Sequence, residues 1–287
     1  MNNRTVARVI PAIETSDGAG VKLRRSLGQR QAWRLDPFLM LDEFYSDNPQ
    51  DYIAGFPSHP HRGFETVTYM LAGHMLHEDH LGNRGHLKDG GAQWMTAGSG
   101  VIHSEMPQQN AGLLRGFQLW INLPGKDKMQ PPHYIDVQAE QIPRMPLRDG
   151  GEAVLLAGTA RVDGQLVKGF FNGLDGIEMA TDPIYIDLRL AARSGTKVQI
   201  PAEYNALLYV YDGTARLGGT SLPNAAATIT GPGETLDITA GDTPTGILLL
   251  AGRPLGEPVA QYGPFVMNTQ AEIEQALRDY RDGRLTR

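Results

Sequence analysis

Short apolar runs broken by glycine, proline or polar clusters dominate the chain, among them TVTYMLAG at 66–73, FQLWINL from Phe117, IYIDLRL from Ile184 and TGILLLAG from Thr245. Runs of this length, rich in β-branched and aromatic residues and bounded by turn formers, predict strands. An all-β protein is expected. Only the end of the chain reads as helix: Thr269-Gln270-Ala271-Glu272 forms a capping box, and Ile273, Ala276, Leu277 and Tyr280 share one face before Gly283. That face is expected to pack on a sheet.

The stretch QAEQIPRMPLRDGGE, 138–152, is polar, carries two prolines and a Gly-Gly pair, and has little periodicity, so it reads as a linker. It divides the chain into expected domains of 1–137 and 138–287. The halves are weakly alike. TVTYMLAG at 66–73 has the outline of ALLYVYDG at 206–213, an offset of 140, and MTAGSG at 95–100 matches ITAGDT at 238–243, an offset of 143. Two copies of one β-domain are expected.

Composition narrows the chemistry. With 26 Lys+Arg against 32 Asp+Glu, the net charge of -6 has the wrong sign for a broad phosphate-binding surface, and direct nucleic-acid binding is not expected. The N-terminal stretch lacks a signal-peptide core and no apolar run is long enough to span a bilayer, so a cytoplasmic protein without a membrane partner is expected. There is no cysteine, so a metal site must use nitrogen and oxygen ligands.

All eight histidines lie between His59 and His133. Side chains at i and i+2 of a strand share a face, so His59 and His61 project together, as do His103 and Glu105. If their strands are neighbours, three imidazoles and one carboxylate converge, a set suited to a divalent first-row metal with coordination positions left open for chemistry. The repeat offsets place Gln199, Pro201, Gly246 and Leu248 at the corresponding points of the second half. The second copy is therefore expected to lack the site.

DPFLMLDEF from Asp36, HPHRGFETVTYML from His59, GAQWMTAGSGVIHSEMP from Gly91, GFQLWINLP from Gly116 and GPFVMNT from Gly263 together resemble the pirin family of two-domain cupins, in order and over nearly the whole chain. The resemblance implies a bicupin: two tandem antiparallel jelly-roll barrels followed by the short helix. It implies one metal in the N-terminal cupin, held by His59, His61, His103 and Glu105, and a metal-free C-terminal cupin. The general cupin pattern is kept in part: Gly100 stands three residues before His103, but the usual Pro-x-Gly reads Gly98-Ser99-Gly100. Glu65, four residues after His61, sits near the glutamate position of the first cupin motif; it is a candidate for supporting the ligands, facing inward by parity.

The resemblance also implies two activities. One is a quercetin 2,3-dioxygenase, in which a flavonol and dioxygen meet at the metal and the heterocycle is cleaved with release of carbon monoxide, with Glu105 as proton acceptor. The other is a metal-bearing transcription co-regulator that acts through protein contacts, with iron oxidation state as a switch; its protein partner is not identified by the sequence. Fe(II) is the first expectation for the metal, and Zn, Cu, Ni, Co and Mn suit the same ligands. Phe56, Trp94, Phe117 and Trp120 are candidate walls for a flat aromatic substrate. The basic stretch with Lys22, Arg24, Arg25, Arg30 and Arg34 is a solvated strand face or a contact surface, and His74, His77, His80 and His133 read as loop or strand-end residues.

Overall fold

The computed structural model describes residues 2–30 and 32–287. They form two compact units, each discontinuous in sequence. One comprises Ile13–Gly28, Phe38–Ala139 and Leu255–Arg287; the other comprises the segment up to Ala12, Gln29–Pro37 and Glu140–Pro254. The sequence-expected halves, 1–137 and 138–287, meet beside the crossing at Ala139 and Glu140, but the ends of the chain are exchanged between units. The exchange has a physical basis at the N-terminus, where Val6–Pro11 pairs antiparallel with Ala226–Thr230 and becomes the edge strand of the second unit's sheet.

Each unit is the jelly-roll arrangement of two antiparallel sheets that the cupin resemblance implies. In the first unit a seven-stranded sheet runs in the order His133–Val137, Ala92–Thr96, Phe64–Ala72, Leu114–Asn122, Phe38–Ser46, Val21–Arg25 and Ile13–Asp17. A four-stranded sheet runs Phe56–His61, Val101–Pro107, Met75–Asp79 and Arg84–Leu87. The second unit has seven- and six-stranded sheets. Phe64–Ala72 and Asn205–Asp212 are the third strands of their respective seven-stranded sheets, which accounts for the likeness between 66–73 and 206–213.

The other internal match is displaced. MTAGSG leads into the inner strand Val101–Pro107, whereas ITAGDT leads into Thr245–Gly252 of the seven-stranded sheet. The true counterpart of Gly98-Ser99-Gly100 is Gly231-Pro232-Gly233, which precedes the inner strand Thr235–Ala240. Gly100 and Gly233 share an unusual backbone, φ 151° and 148°. A Cβ on Gly100 would fall 2.2 Å from the Leu285 carbonyl, so only glycine fits there. This register makes Leu236 and Ile238 the counterparts of His103 and Glu105. Val198 faces Leu236 as His59 faces His103, so Val198 and Ile200 stand for His59 and His61. All four belong to the apolar core of the second unit, exposed by 0% to 4%. The positions expected from the offsets, Gln199, Pro201, Gly246 and Leu248, are thus replaced by Val198, Ile200, Leu236 and Ile238, which leave no donor atom for a metal.

The helix spans Gln270–Arg281, capped by Thr269 and Glu272 reciprocally as the sequence predicts. Ile273 and Ala276 are buried and Leu277 packs beside them against Phe265, Met267 and Leu285, while Tyr280 stays exposed. The segment that carries the helix is tied to the turn following His61. Arg62 pairs with Asp279 at 2.8 Å and donates to the Leu285 carbonyl, and the buried Lys128 ammonium donates to Gly63 O, Asn122 Oδ1 and Val266 O at 2.7–3.0 Å. Among the described residues, no helix is long and apolar enough to cross a membrane.

Candidate metal centre

The inner strands Phe56–His61 and Val101–Pro107 are antiparallel neighbours with His59 opposite His103 and His61 opposite Val101. The register slips between His103 and Glu105, the latter facing Phe56, so the extra residue bulges the histidine strand at 57–58. The bulge brings the Pro57 carbonyl to 2.8 Å from Nδ1 of His59. That nitrogen therefore carries the ring proton and donates it, which leaves the His59 Nε2 lone pair facing inward.

Three imidazoles converge. One nitrogen from each of His59, His61 and His103 lies within 4.8 Å of the others, and the Nε2 atoms of His59 and His61 are 3.0 Å apart. Two ligands at right angles, each about 2.1 Å from one ion, would be separated by about 3.0 Å. Nε2 of His103 is buried with no hydrogen-bond partner among the described residues, which is costly unless something accepts its lone pair. Burial holds His61 and His103 well below the ordinary histidine value, helped by the neighbouring imidazoles, so both rings are neutral. The donor set fits a divalent metal. His59 is partly exposed while His61 and His103 are buried, which puts the open side at His59.

Glu105 is on the same face of its strand, two residues beyond His103, and stands outside the three-nitrogen cluster. Its Oε1 accepts from Thr68 Oγ1 at 3.0 Å and from Gln93 Nε2, and its Oε2 accepts from Gln118 Nε2 at 2.9 Å. The carboxamide orientations are set by aromatic donors behind them. Trp120 Nε1 donates to Gln118 Oε1 at 3.0 Å, and the Tyr134 hydroxyl donates to Gln93 Oε1 at 3.2 Å. Both amides must then present N–H to the carboxylate. Three donors leave a carboxylate at least one acceptor site, and it lies on Oε2, which takes one bond where Oε1 takes two.

The pocket candidates divide by strand parity. Trp120 is on the inner face: its ring packs edge-on to His61 at 5.3 Å and against Phe64 at 4.3 Å. Phe64, which the sequence reading passed over, also meets His61 edge-on at 5.1 Å. Thr68, Gln93 and Gln118, aligned across three strands, define the inner face. Trp94 and Phe117 are the next residues along their strands from Gln93 and Gln118, so they point to the opposite face and do not line the site. Glu65 also points away. The expectation of an inward Glu65 assumed unbroken alternation from His61, but Gly63, at φ 87°, turns the chain between two strands and resets the parity. Its carboxyl accepts from Thr96 Oγ1 at 2.7 Å. Burial pushes it up to about 7 against the pull of the Thr96 and Trp94 hydrogen bonds. Phe56 is partly exposed and packs against the cluster of Val21, Phe44, Tyr52 and Met70.

His77 is wholly buried and lies against His103, so it is neither a loop nor a strand-end residue. His74 pairs with His86 at 2.9 Å on the surface, the His80 ring accepts from the Ile102 amide, and His133 is exposed. In the basic stretch, Lys22 pairs with Asp51 at 2.8 Å and Arg25 with Asp17 and Asp42, so these charges are neutralised within their own unit.

Comparison with known proteins places these features in a family. The pirin family model matches residues 20–121, and the model of the pirin C-terminal cupin domain matches 185–286. A Pseudomonas aeruginosa protein provisionally named quercetin 2,3-dioxygenase is 52% identical over 274 residues, covering 93% of both chains. A pirin-like protein of Caulobacter vibrioides is 44% identical over 281 residues, covering 98% of this chain and 99% of the relative. Among solved structures, a quercetin 2,3-dioxygenase from Acinetobacter baumannii superposes with a TM-score of 0.87 at 31% identity, covering 99% of each chain. With both cupins matched and relatives aligned end to end, the chain belongs to the pirin family.

Proposed function

We propose that the protein is a metal-dependent dioxygenase that opens the heterocycle of a flavonol or a related aromatic carrying a hydroxyl beside a carbonyl. The observation that carries this reading is the convergence of three imidazoles beside a carboxylate held by three donors, next to an aromatic wall. His59, His61 and His103 would hold the metal through nitrogen, and Glu105 through Oε2. Fe(II) is the first choice. Bound there, the ion supplies Lewis acidity toward the hydroxyl and carbonyl oxygens and positions for dioxygen.

The protein's own groups do the rest. Glu105 Oε2 has one acceptor site beyond its bond from Gln118, so it would take the hydroxyl proton only on releasing the ion. Gln118, locked by Trp120, stops the carboxylate rotating as it changes charge. Trp120 and Phe64 offer apolar surface to a flat ring on the His61 side, and the burial of His61 and His103 limits water at the reacting atoms. The relatives bearing the quercetinase name support the same choice of substrate class.

The test is anaerobic reconstitution of metal-free protein with Fe(II), Cu(II), Ni(II), Co(II), Mn(II) and Zn(II) in turn, followed by quercetin and air. Flavonol absorbance and carbon monoxide are recorded. Metal-dependent loss of flavonol with carbon monoxide release, absent in His59→Ala and lowered in Glu105→Gln, is expected. Stoichiometric metal binding without turnover in any form would refute the enzyme and move the assignment to a metal-bearing regulatory protein.

A further inference from the structure

Behind His103, on the side away from the three-nitrogen cluster, lies a chain of polar groups that the proposed chemistry does not use. His77 sits in the strand Met75–Asp79, fully buried, with its ring stacked on Tyr134 at 4.2 Å and 17°. Its Nδ1 is 3.3 Å from Nδ1 of His103, and its Nε2 is 3.4 Å from Oδ2 of Asp79. Asp79 is itself fixed. Its Oδ1 accepts from the Leu81 and Asn83 amides at 2.9 and 3.0 Å, and its Oδ2 accepts from Asn83 Nδ2 at 2.8 Å.

For rings that carry one proton each, these contacts admit one placement of protons. A carboxylate only accepts, so the proton of His77 is on Nε2 and its Nδ1 is bare. The facing Nδ1 of His103 must then carry the proton of that ring, which leaves bare His103 Nε2, the nitrogen without a hydrogen-bond partner among the described residues. The reverse placement sets the His77 Nε2 lone pair against the Asp79 carboxylate and puts a proton on His103 Nε2. Metal-binding histidines ordinarily give their second N–H to a carboxylate or a carbonyl. Here another imidazole stands between the ligand and the carboxylate.

We infer that Asp79 and His77 form a relay that places the proton of His103 on Nδ1 and so holds its Nε2 lone pair toward the metal, making both positioning residues for metal capture. The inference rests on the metal-centre reading above. Tyr134 keeps the His77 ring in plane, and the stack depends on Gly85, which pairs with His77 across the strands: a Cβ at Gly85 would fall 1.8 Å from the Tyr134 hydroxyl.

Protein labelled with ¹⁵N-histidine tests the relay through long-range ¹H–¹⁵N spectra of the metal-free and Zn(II) forms, which report the tautomer of each ring. The expected result is His103 protonated on Nδ1 and His77 on Nε2 in the metal-free wild type. Asp79→Asn presents an N–H to His77 and reverses the order, while its Oδ1 can still accept the turn amides. His77→Phe keeps the stack and removes both nitrogens. In both variants Zn(II) affinity, measured by competition with a chromophoric chelator, should fall about 10–100-fold with circular dichroism unchanged. A wild-type His103 protonated on Nε2, or a doubly protonated His77, overturns the relay, and this reading needs no variant to fold. So does Zn(II) affinity unchanged in both folded variants. The stated tautomers in a wild type that binds no Zn(II) would uphold the proton placement and overturn the metal reading it serves.

Discussion

Replacing Glu65 by glutamine isolates one buried carboxyl group without touching the histidine cluster. The side chain is 5% exposed, and burial pushes its carboxyl from an ordinary 4.5 up to about 7. An acid whose pKa is higher in the folded state binds more protons folded than unfolded between those values. Stability contributed by this group is therefore lost as pH rises from about 4.5 to about 7 and is flat above. Linkage over that shift amounts to about 3 kcal/mol, of which about 2.5 kcal/mol falls between pH 5 and pH 8. Glutamine keeps an oxygen for Thr96 Oγ1 and has no charge to ionise.

The assay is urea unfolding of metal-free wild type and Glu65→Gln at several values between pH 5 and pH 8. The quantity read is the difference in unfolding free energy at each pH. An unpaired carboxamide N–H costs about 1–3 kcal/mol but does so equally at every pH, so the slope rather than the offset is diagnostic. The variant should gain on the wild type by about 2.5 kcal/mol across the window. Parallel curves, within about 0.5 kcal/mol, would falsify the assignment of a buried, protonated carboxyl at this position.

Two further substitutions probe the scaffold that carries the site. Lys128→Met leaves Gly63 O, Asn122 Oδ1 and Val266 O without their shared donor and should cost about 3–5 kcal/mol, read as a lowered Tm; a loss under about 1 kcal/mol would mean water satisfies these acceptors. Gly63→Ala puts a Cβ 2.0 Å from the Val266 carbonyl at a residue with φ 87°, directly after Arg62 and His61. It should cost about 2–4 kcal/mol and weaken Zn(II) binding through displaced His61; metal affinity equal to wild type in the folded variant would show that the turn does not position the histidines.

Short apolar runs made the all-β architecture legible in the sequence and residue type alone marked Trp120, while period-two alternation made the cluster of His59, His61 and His103 legible. It also misled wherever the chain leaves a strand. Counting from His61 to Glu65 keeps parity only if no turn intervenes, and Gly63 intervenes. Trp94 and Phe117 looked like pocket walls by residue type, yet Gln93 and Gln118 beside them face inward. Finding those two glutamines required knowing which strands are neighbours and in what register, and this is information between strands rather than along one. His77 was hidden for the same reason: the i, i+3, i+6 run of His74, His77 and His80 has no strand period, and only pairing of Glu105 with His77 brings that ring to the site. The fold exchange of the chain ends follows from pairings such as Val6–Pro11 with Ala226–Thr230, which no local pattern announces.

The two units solve the same packing problem in opposite ways, and the contrast yields a last prediction. Where the second unit fills its inner strands with Val198, Ile200, Leu236 and Ile238, the first places three imidazoles and a carboxylate. Each buried polar atom left unpaired costs about 1–3 kcal/mol, so without metal the first unit carries a local penalty that the second does not. Metal that binds only the folded site offsets it by RT ln(1 + [M]/Kd), about 4 kcal/mol at a thousandfold excess over Kd. Hydrogen exchange resolves where that stabilisation appears. Amides of Phe64–Ala72 and Val101–Pro107 should slow on adding Zn(II), by up to about a thousandfold. Those of the counterpart strands Asn205–Asp212 and Thr235–Ala240 should change far less. Protection gained equally in both units would mean that the ion does not act through the histidine cluster, because nothing in the apolar core around Leu236 and Ile238 can distinguish a metal-bound state from a metal-free one.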